Sequence, residues 1–365
     1  MNAVDSRPIL RPRSVEEVVD SVCACAQVLA FGAGTKPVPS TAPPGCASMS
    51  LAGLSGILEY DPCEYTFTAL AGTPLATVAT ELARNGQHMP FDPPLAASGA
   101  TLGGTIASGL SGPGRQRYGG VRDFILGVRF VTGAGELVRG GGKVVKNAAG
   151  FDIPKLLVGS LGRMGVLVEA TFKVFPRPRA FATLLAQRPT LDDALATIAR
   201  LGAAPFDIEA LELDPPGALA IRLGGAEETF ATRLAALERF VGGAFTRLEG
   251  PAEGQFWETR APNGTGAGAG VLVVKVPLTL AAIPALDTRL AAGGAHRSYG
   301  SGGSVGWIRW PGSVESLEGL FREQALCGLV LAGPSPRPLV GVDRAASFRR
   351  RIKEALDPNS RFPEY

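Results

Sequence analysis

Hydrophobic and polar positions recur with both helical and strand periods along the first half of the chain. Apolar residues at helical spacing follow the capping sequence SVEE at 14–17, which predicts a helix that begins at about residue 15. Two β-type runs at 124–132 and 136–139, joined by Gly-Ala-Gly, predict a hairpin. Residues 166–174 alternate apolar and polar side chains, the pattern of a half-buried strand. The first half therefore mixes strands with helices.

The pattern changes after Pro176-Arg177-Pro178, which places a domain boundary near residue 178. Beyond it, a strand-helix-strand-strand-helix order is predicted, and a similar set of elements follows. The predicted strands are 183–187, 207–213, 218–223, 271–277, 304–310 and 328–332, and the predicted helices are 191–201, 227–241, 281–290 and 314–327. This order favours a ferredoxin-like unit, with duplication as an option, whose antiparallel sheet carries helices on one face. A final helix over 348–356 stops at an Asp-Pro-Asn turn.

Composition indicates a folded α+β protein of two domains, because 365 residues exceed the usual size of one domain. Hydrophobic residues make up 45% of the chain, which excludes disorder as the main state. The formal net charge is only +3, and no segment concentrates lysine and arginine. A nucleic-acid partner is therefore not expected.

Cysteine and histidine usage excludes several kinds of chemistry. Five cysteines without C-x-x-C spacing predict reduced thiols rather than disulfides, a zinc site or an iron–sulfur cluster. His88 and His296 have no second histidine or paired carboxylate nearby, so a structural or surface role is favoured, and no catalytic residue or metal ligand is assigned. The sequence has neither a signal peptide nor an apolar run of about 18 residues, which predicts a cytoplasmic protein without a membrane span.

Glycine-rich segments carry the candidate binding chemistry. The first is FGAGTK at 31–36, where Gly32, Gly34 and Thr35 could cradle a pyrophosphate with backbone N–H groups and one hydroxyl. An ordinary turn is an equally good interpretation of this segment alone. The prolines that follow at 37 and 39 exclude the glycine pattern of a nicotinamide-binding Rossmann fold.

Two more segments combine glycines with hydroxyl donors. One joins Asp92-Pro93-Pro94 to 98–109, where Gly103-Gly104 allows close approach of a flat or phosphorylated ligand and a short helix over 105–110 would favour phosphate. A ligand site is favoured there over a structural loop. The other spans 142–165, with Asp152 as a helix N-cap and with Lys146 and Lys155 facing either phosphate or solvent.

Four ordered motifs give the first half, over about residues 8–178, a resemblance to a known family. They are RPRSVEEV (11–18), GATLGGTIASGLSGP (99–113), VRDFILGV (121–128) and KNAAGFD (146–152) with GSLG (159–162). The chain resembles the FAD-binding domain of the vanillyl-alcohol oxidase / p-cresol methylhydroxylase (PCMH) superfamily and, within it, the FAD-binding E subunits of bacterial glycolate oxidase complexes.

The resemblance implies two α+β subdomains that hold FAD, followed by a cap domain over the isoalloxazine ring. It places three groups of this chain's residues against FAD: the pyrophosphate loop Gly32, Gly34 and Thr35; the segment that passes the flavin and phosphates, with Pro93, Thr101, Leu102, Gly103, Gly104 and Ala107; and Gly165 with Val166 near the adenosine half.

Departures from the family pattern refine these expectations. Thr35 stands where members with covalent flavin have histidine, which predicts non-covalent FAD. The clustered cap histidines of the hydroxy-acid dehydrogenases are missing, so hydride abstraction is expected in a paralogous FAD-containing catalytic subunit, with an iron–sulfur subunit as acceptor. The family's Asn-Pro-Gly near the C-terminus is replaced by RFPE at 361–364, so a flavin contact from that tail is not expected.

The resulting hypothesis divides the chain into a PCMH-type FAD-binding domain (1–178), a cap domain (179–340) and a C-terminal helix and tail (341–365). It predicts a subunit of a complex that oxidises glycolate or another small 2-hydroxy acid, cytoplasmic or held at the inner membrane through its partners. A stand-alone dehydrogenase and a non-catalytic assembly subunit are the alternatives. Arg115, Arg117 and Arg122 could contact a substrate carboxylate or a partner protein.

Overall fold

The first half of the chain forms three small sheets and seven helices in a computed structural model that describes residues 9–143, 151–260 and 270–365. The strands are β1 (Val28–Phe31), β2 (Ala47–Ser50), β3 (Ile57–Asp61), β4 (Thr66–Leu70), β5 (Gln87–His88), β6 (Ile125–Val131), β7 (Leu137–Gly141), β8 (Val166–Lys173) and β9 (Phe175–Pro176). The helices are α1 (Val15–Ala24), α2 (Pro37–Ser40), α3 (Leu75–Ala83), α4 (Leu102–Ser108), α5 (Arg115–Tyr118), α6 (Val121–Phe124) and α7 (Ile153–Leu157).

Helix α1 begins where the capping sequence predicts. The Ser14 hydroxyl accepts a hydrogen bond from the Glu17 N–H at 3.2 Å. The Glu17 carboxylate accepts from the Arg13 N–H at 2.7 Å rather than from Ser14, so the reciprocal bond of a capping box lies one residue earlier. The predicted hairpin is also present, formed by β6 and β7.

A five-stranded antiparallel sheet in the order β3-β4-β8-β6-β7 forms the centre of this half. Strand β8 has the predicted alternation, but the prediction that it is half-buried is wrong. Leu167 and Thr171, in the row expected to face solvent, are both buried. Thr171 is satisfied there because its hydroxyl hydrogen-bonds with that of Thr68 at 2.9 Å.

The second half forms one sheet of nine strands among the described residues, in the order β13-β10-β12-β11-β15-β16-β14-β17-β18. The strands are β10 (Ala180–Gln187), β11 (Ile208–Asp214), β12 (Ala218–Gly225), β13 (Phe245–Glu249), β14 (Leu272–Pro277), β15 (His296–Gly300), β16 (Val305–Trp310), β17 (Cys327–Ala332) and β18 (Leu339–Gly341). The helices are α8 (Leu191–Gly202), α9 (Glu227–Val241), α10 (Gly250–Arg260), α11 (Ile283–Ala292), α12 (Val314–Glu323) and α13 (Ala346–Leu356).

Each part of this sheet repeats one connectivity. The elements from β10 to β13 and those from β14 to β17 both run strand-helix-strand-strand-helix-strand. In each set the first strand lies between the third and fourth, and every pairing is antiparallel. The two sets join through β11 and β15, where Leu213 pairs with Tyr299. The helix predicted to extend to residue 327 ends at Glu323, and the strand after it begins at Cys327.

Helices α8, α9, α11 and α12 cover one face of the sheet through apolar cores, as the sequence predicts. Helix α10, which the pattern did not reveal, packs instead on the opposite face. Its buried residues are Glu253 and Trp257. The indole N–H of Trp257 donates to the Thr183 hydroxyl at 2.8 Å, and Glu253 accepts from Arg222 at 2.7 Å. A helix held by polar bonds of this kind has no apolar stripe for sequence reasoning to detect.

The two halves meet at α5 and at the C-terminal end of α4. Arg117 forms an ion pair with Glu209, and the Tyr118 hydroxyl donates to the same carboxylate at 2.9 Å. Lys275 Nζ donates to the Gly109 carbonyl at 3.1 Å, at the C-terminal end of α4. The face of the nine-stranded sheet that carries α10 therefore lies over the region between α4 and α5.

The C-terminal segment returns to the first half. Helix α13 begins at Ala346, two residues before the prediction, and residues 357–365 then pack on the first-half core, where Phe362 is fully buried. The Val28 N–H donates to the Arg361 carbonyl at 2.8 Å, and the Gly133 N–H donates to the Leu356 carbonyl at 2.9 Å. No helix within the described ranges has both the length and the apolar character needed to cross a membrane.

Candidate functional site

A cleft of about 370 Å³, including the part open to solvent, lies at the carboxyl end of β1. It lies between that strand end, α4 and the loop 159–165, and we call it the glycine cleft. Six of the residues assigned to FAD from the sequence line it: Gly32, Thr101, Gly103, Gly104, Ala107 and Gly165. These six residues come from three separated parts of the sequence and meet in one place.

Helix α4 forms the floor of the glycine cleft and starts three residues before the predicted helix over 105–110. Its N-cap is Thr101, whose hydroxyl accepts from the Gly104 N–H at 3.3 Å. The Leu102 N–H donates to the Thr73 carbonyl at 2.9 Å, and the Gly103 N–H donates to the Ala71 carbonyl at 2.7 Å. These N–H groups already have acceptors, so the predicted phosphate site at the N-terminus of a helix beginning at residue 105 is wrong.

Small residues keep the glycine cleft open. Gly104 and Ala107, three residues apart on α4, turn the same side of the helix toward the cleft. A Cβ on Gly32 would lie 2.0 Å from the Thr101 hydroxyl, which no side chain tolerates. The strand end can therefore approach α4 only because residue 32 is glycine.

The loop 159–165 forms the third wall and is clamped to α4. The Gly159 N–H donates to the Ile106 carbonyl at 3.0 Å, and the Leu161 N–H donates to the Ala107 carbonyl at 2.8 Å. On its outer side, the Tyr365 hydroxyl donates to the Ser160 carbonyl at 2.7 Å. The Ser160 hydroxyl is buried in the cleft wall and has no hydrogen-bond partner within the described ranges, which marks it as a donor held for a ligand.

The loop 32–36 continues from the cleft edge and contains Gly34 and Thr35. Gly34 has φ +71°, a backbone conformation that favours glycine. Within the part of the chain that the structure describes, the backbone N–H groups of residues 33–36 have no acceptor. Successive free N–H groups of this kind form a concave site for an anion.

Lys36, at the end of this loop, is the functional candidate that sequence reasoning missed. It is only 6% exposed, and its Nζ donates to the Thr35 hydroxyl at 3.2 Å. Burial lowers the pKa of Lys36 to about 8. The signal in the sequence was a lone lysine among glycine, proline and hydroxyl residues, which resembles an ordinary surface lysine.

The other assigned residues lie elsewhere. The side chains of Leu102 and Val166 are fully buried in the first-half core, so only their backbones are available to a ligand. Lys155 forms a 2.8 Å ion pair with Asp152, which is the N-cap of α7 as predicted. Lys146 lies outside the described residues.

A second, larger space lies between the two halves, which we call the interface cavity. It measures about 1120 Å³, including the part open to solvent. One wall is the segment Ser111, Gly112 and Pro113, which follows α4. The other wall is the face of the nine-stranded sheet that carries α10, together with Thr259 and Arg260 of that helix. Helix α4 has seven residues and a length of about 10 Å, so the glycine cleft and the interface cavity lie beside the same short helix.

Asp92 holds the 111–114 segment in place and explains the Asp-Pro-Pro motif that contains Pro93. The Asp92 carboxylate accepts from the Gly114 N–H at 3.0 Å, and the Phe91 carbonyl accepts from the Gly112 N–H at 2.9 Å. Burial raises the pKa of Asp92 to about 6. The motif thus shapes the cavity wall.

The sheet wall of the interface cavity is charged. Arg260 Nη2 lies 2.7 Å from Asp214 Oδ2 in a geometry that is not a hydrogen bond, and the buried Arg260 Nε has no partner among the described residues. Arg309 also lines the cavity, and no carboxylate in the described ranges pairs with it. Glu212 accepts from the Ser301 N–H at 3.2 Å, and burial raises the pKa of Glu212 to about 7.

The histidines differ in position. His296 lies on β15 opposite Arg309 of β16 and lines the interface cavity. The His88 ring nitrogen lies 3.2 Å from the Phe175 carbonyl, and burial lowers the pKa of His88 to about 4. Arg117, ion-paired with Glu209, joins the two halves. No group of three or more potential metal ligands occurs in the segments that the structure describes.

Comparisons with known proteins agree with this geometry. Residues 7–141 match the family model of the FAD binding domain. The chain is 43% identical over 203 residues to the glycolate oxidase subunit GlcE of Escherichia coli, a match that covers 56% of this chain and 55% of that protein. It is 31% identical over 219 residues to the glycolate oxidase subunit GlcD of Bacillus subtilis, which covers 58% of this chain and 46% of that protein. The resemblance stated from the motifs is confirmed.

Two further comparisons extend the picture. A D-2-hydroxyglutarate dehydrogenase of Xanthomonas citri is 34% identical over 185 residues, covering 50% of this chain and 39% of that protein. The chain therefore spans about half or less of the length of these curated relatives. A solved structure of alkyldihydroxyacetonephosphate synthase matches 96% of this chain and 74% of its own, with a TM-score of 0.66 at 16% identity. This match confirms the overall fold class.

Proposed function

We propose that this chain is the FAD-carrying subunit of a complex that oxidises glycolate or another small 2-hydroxy acid, a proposal supported by the match of residues 7–141 to the FAD binding domain. The single observation that carries the proposal is the glycine cleft. Its small residues leave room for a ligand backbone, and the adjoining loop 32–36 offers free N–H groups. The unpartnered Ser160 hydroxyl fits a polar ligand in the same cleft. FAD, when bound, supplies the redox chemistry.

The residues that would hold FAD follow from this arrangement. Loop 32–36, with Gly34 and Thr35, would bind the pyrophosphate, and Thr101 to Ala107 would lie along the ribityl chain. The 111–113 segment, positioned by Asp92 next to Pro93, would direct the isoalloxazine ring toward the interface cavity. We propose non-covalent FAD, because Thr35 stands where the family's members with covalent flavin have histidine.

The partners are proposed from the relatives. The Escherichia coli and Bacillus subtilis proteins are both named as subunits of glycolate oxidase. We propose that this chain assembles with a paralogous FAD-containing catalytic subunit and an iron–sulfur subunit, with peripheral attachment to the inner membrane through them. The domain division at 178 and 340 is part of the proposal, with one refinement: residues 346–365 pack on the first domain.

The first test is the cofactor content of the isolated chain. We expect yellow protein with a flavin absorption spectrum, and we expect heat or acid denaturation to release FAD into the supernatant because no covalent bond holds it. Colourless protein that also fails to bind added FAD would contradict the proposal and favour an assembly role. Yellow protein whose flavin stays with the precipitate would contradict only the non-covalent attachment.

A second candidate function is favoured by the interface cavity: the chain itself oxidises a small 2-hydroxy acid. Arg309 and Arg260 would bind the carboxylate, and Glu212 lies on the same wall as a group that can accept a proton near neutral pH.

The test of this second candidate is reduction of the bound flavin by D-lactate or glycolate without partners. If the candidate is correct, Arg309→Gln should raise KM about tenfold or more, since one charged hydrogen bond to the substrate is lost. Arg322→Gln, on the exposed surface of α12, is the matched control. An isolated chain that stays oxidised with either acid, yet is reduced when partners are added, would eliminate this candidate and leave the subunit function in place.

A further inference from the structure

Lys36 is a buried cation without a counter-charge. Its one described polar contact is the Thr35 hydroxyl, at 3.2 Å, and the side chain is almost completely removed from solvent. Burying a charge without a partner is unfavourable by several kcal/mol, so such groups occur where a ligand supplies the opposite charge. The packing of the described residues therefore does not explain why the charge of Lys36 is buried.

The surroundings of Lys36 contain no such charge on any element packed against it. Strand β1, helix α2 and strand β17, which contacts α2, contain no Asp, Glu, Lys or Arg. On α4, the groups that face Lys36 are the Thr101 hydroxyl and Gly104, which are neutral. Within the described ranges, burial alone shifts the pKa of Lys36.

The ammonium group of Lys36 lies beside the glycine cleft, next to Gly104 in the cleft wall. Lys36 Nζ lies 3.8 Å from the position that a Cβ on Gly104 would occupy, and Gly104 lines the cleft. The N–H groups of residues 33–36, which have no described acceptor, belong to the same loop. The first N–H groups of α4, by contrast, are already bonded to Ala71 and Thr73. An anion at this end of the cleft would therefore be neutralised by the groups of loop 32–36.

We propose that Lys36 is the counter-charge for the pyrophosphate of FAD and that, with the N–H groups of residues 33–36, it makes this chain select dinucleotide flavin over flavins without the second phosphate. The inference rests on the proposed function, since it assigns a residue within the proposed FAD site. Lys155, which the sequence also offered for phosphate, is paired with Asp152 and takes no part.

The test compares ligands that differ in phosphate. Apoprotein is titrated with FAD, FMN, riboflavin and inorganic pyrophosphate, and dissociation constants are measured for wild type, Lys36→Met, Lys36→Arg and the control Lys155→Met. We expect Lys36→Met to lower the affinity for FAD about tenfold to a hundredfold, because one charged hydrogen bond to phosphate is lost. The affinity for riboflavin should be unchanged. Lys36→Arg should retain most of the FAD affinity, and Lys155→Met should match wild type.

The pH profile is a second readout that a structural role would not change. An anion stabilises protonated Lys36, so FAD binding takes up a proton above pH 8, and the FAD dissociation constant of wild type should rise between pH 8 and pH 9.5. In Lys36→Met the rise in this window should be lost.

The outcomes separate the inference from the function on which it rests. Wild type that binds neither FAD nor pyrophosphate overturns both. If wild type binds FAD and Lys36→Met binds it with equal affinity, the inference is overturned and the proposed function stands. The same holds if Lys36→Met loses affinity equally for FAD and for riboflavin. Since methionine removes a buried charge and keeps the length of the side chain, we expect the apoprotein variant to unfold at a temperature no lower than wild type.

Discussion

Gly104→Leu should lower the affinity of the chain for FAD more than a hundredfold. Gly104 lies on the open side of α4 and lines the glycine cleft. A leucine side chain would occupy the space next to loop 32–36. A hundredfold loss corresponds to about 2.7 kcal/mol of binding free energy, which steric exclusion of a ligand readily exceeds.

The helix itself should tolerate the substitution. Leucine has a higher helix propensity than glycine by about 0.8 kcal/mol, and the closest contact of the new Cβ would be the Thr101 hydroxyl at 3.1 Å. We therefore expect the apoprotein variant to unfold within about 1 kcal/mol of wild type. The measurement is FAD titration of apoprotein, followed by flavin fluorescence, together with thermal unfolding followed by circular dichroism.

Gly319→Leu is the matched control, because Gly319 lies on the exposed side of α12 with nothing within 4 Å of the new Cβ. It should bind FAD as wild type does. A Gly104→Leu variant that binds FAD with wild-type affinity would show that the dinucleotide does not pass through the glycine cleft.

Lys353→Met should destabilise the first domain by about 3–5 kcal/mol, the usual effect of removing one partner of a buried ion pair. Lys353 Nζ lies 2.7 Å from Asp357 Oδ2, and both residues are buried. The same ammonium group donates to the carbonyls of Arg163 at 3.2 Å and Phe362 at 2.8 Å. The substitution leaves the Asp357 carboxylate buried with only the N–H groups of Arg361 and Phe362 as donors.

The readout is thermal unfolding of the full chain. For domains of this size, the loss corresponds to a fall in Tm of roughly 6–20 °C. Arg350→Met on the same helix is the control, because the Arg350 side chain is 75% exposed and its nearest carboxylate oxygen, on Glu354, is 3.8 Å away. The control should stay within about 0.5 kcal/mol of wild type. Equal Tm values for the two variants would mean that the C-terminal segment adds nothing to the first domain.

Most of the fold could be predicted because its elements have regular patterns. The capping sequence at 14–17 and the hairpin of β6 and β7 are local signals, and the repeated order in the second half follows from apolar periodicity. Helix α10 was missed because its contacts are polar, with Glu253 and Trp257 bonded to side chains of distant strands. Strand β15, in the middle of the sheet, and the end strands β13 and β18 were also missed, because such short runs, exposed in β13 and polar in β15, give little periodicity.

The candidate site was predicted in part for the same kind of reason. Glycines mark close approach of backbone and ligand, so Gly32, Gly103 and Gly104 could be identified in the sequence. Lys36 could not, since what distinguishes it is burial without a counter-charge, and burial depends on α2, α4 and β17 coming together in space. The charged wall of the interface cavity likewise combines residues from β11, α10 and β16 that no local pattern connects.

Because residues 346–365 pack on the first domain, that domain can be completed only after the second domain has been synthesised. The ribosome makes the first half of the chain early, but Phe362 and the Lys353–Asp357 pair reach the first-domain core only after the whole nine-stranded sheet has been translated. At about 5–20 residues per second, the first domain waits on the order of 10–40 seconds for its last core residues. The Tyr365 hydroxyl, which donates to the Ser160 carbonyl in the wall of the glycine cleft, is made later than Phe362. A nascent chain therefore completes its cofactor site only after the second domain has had time to fold.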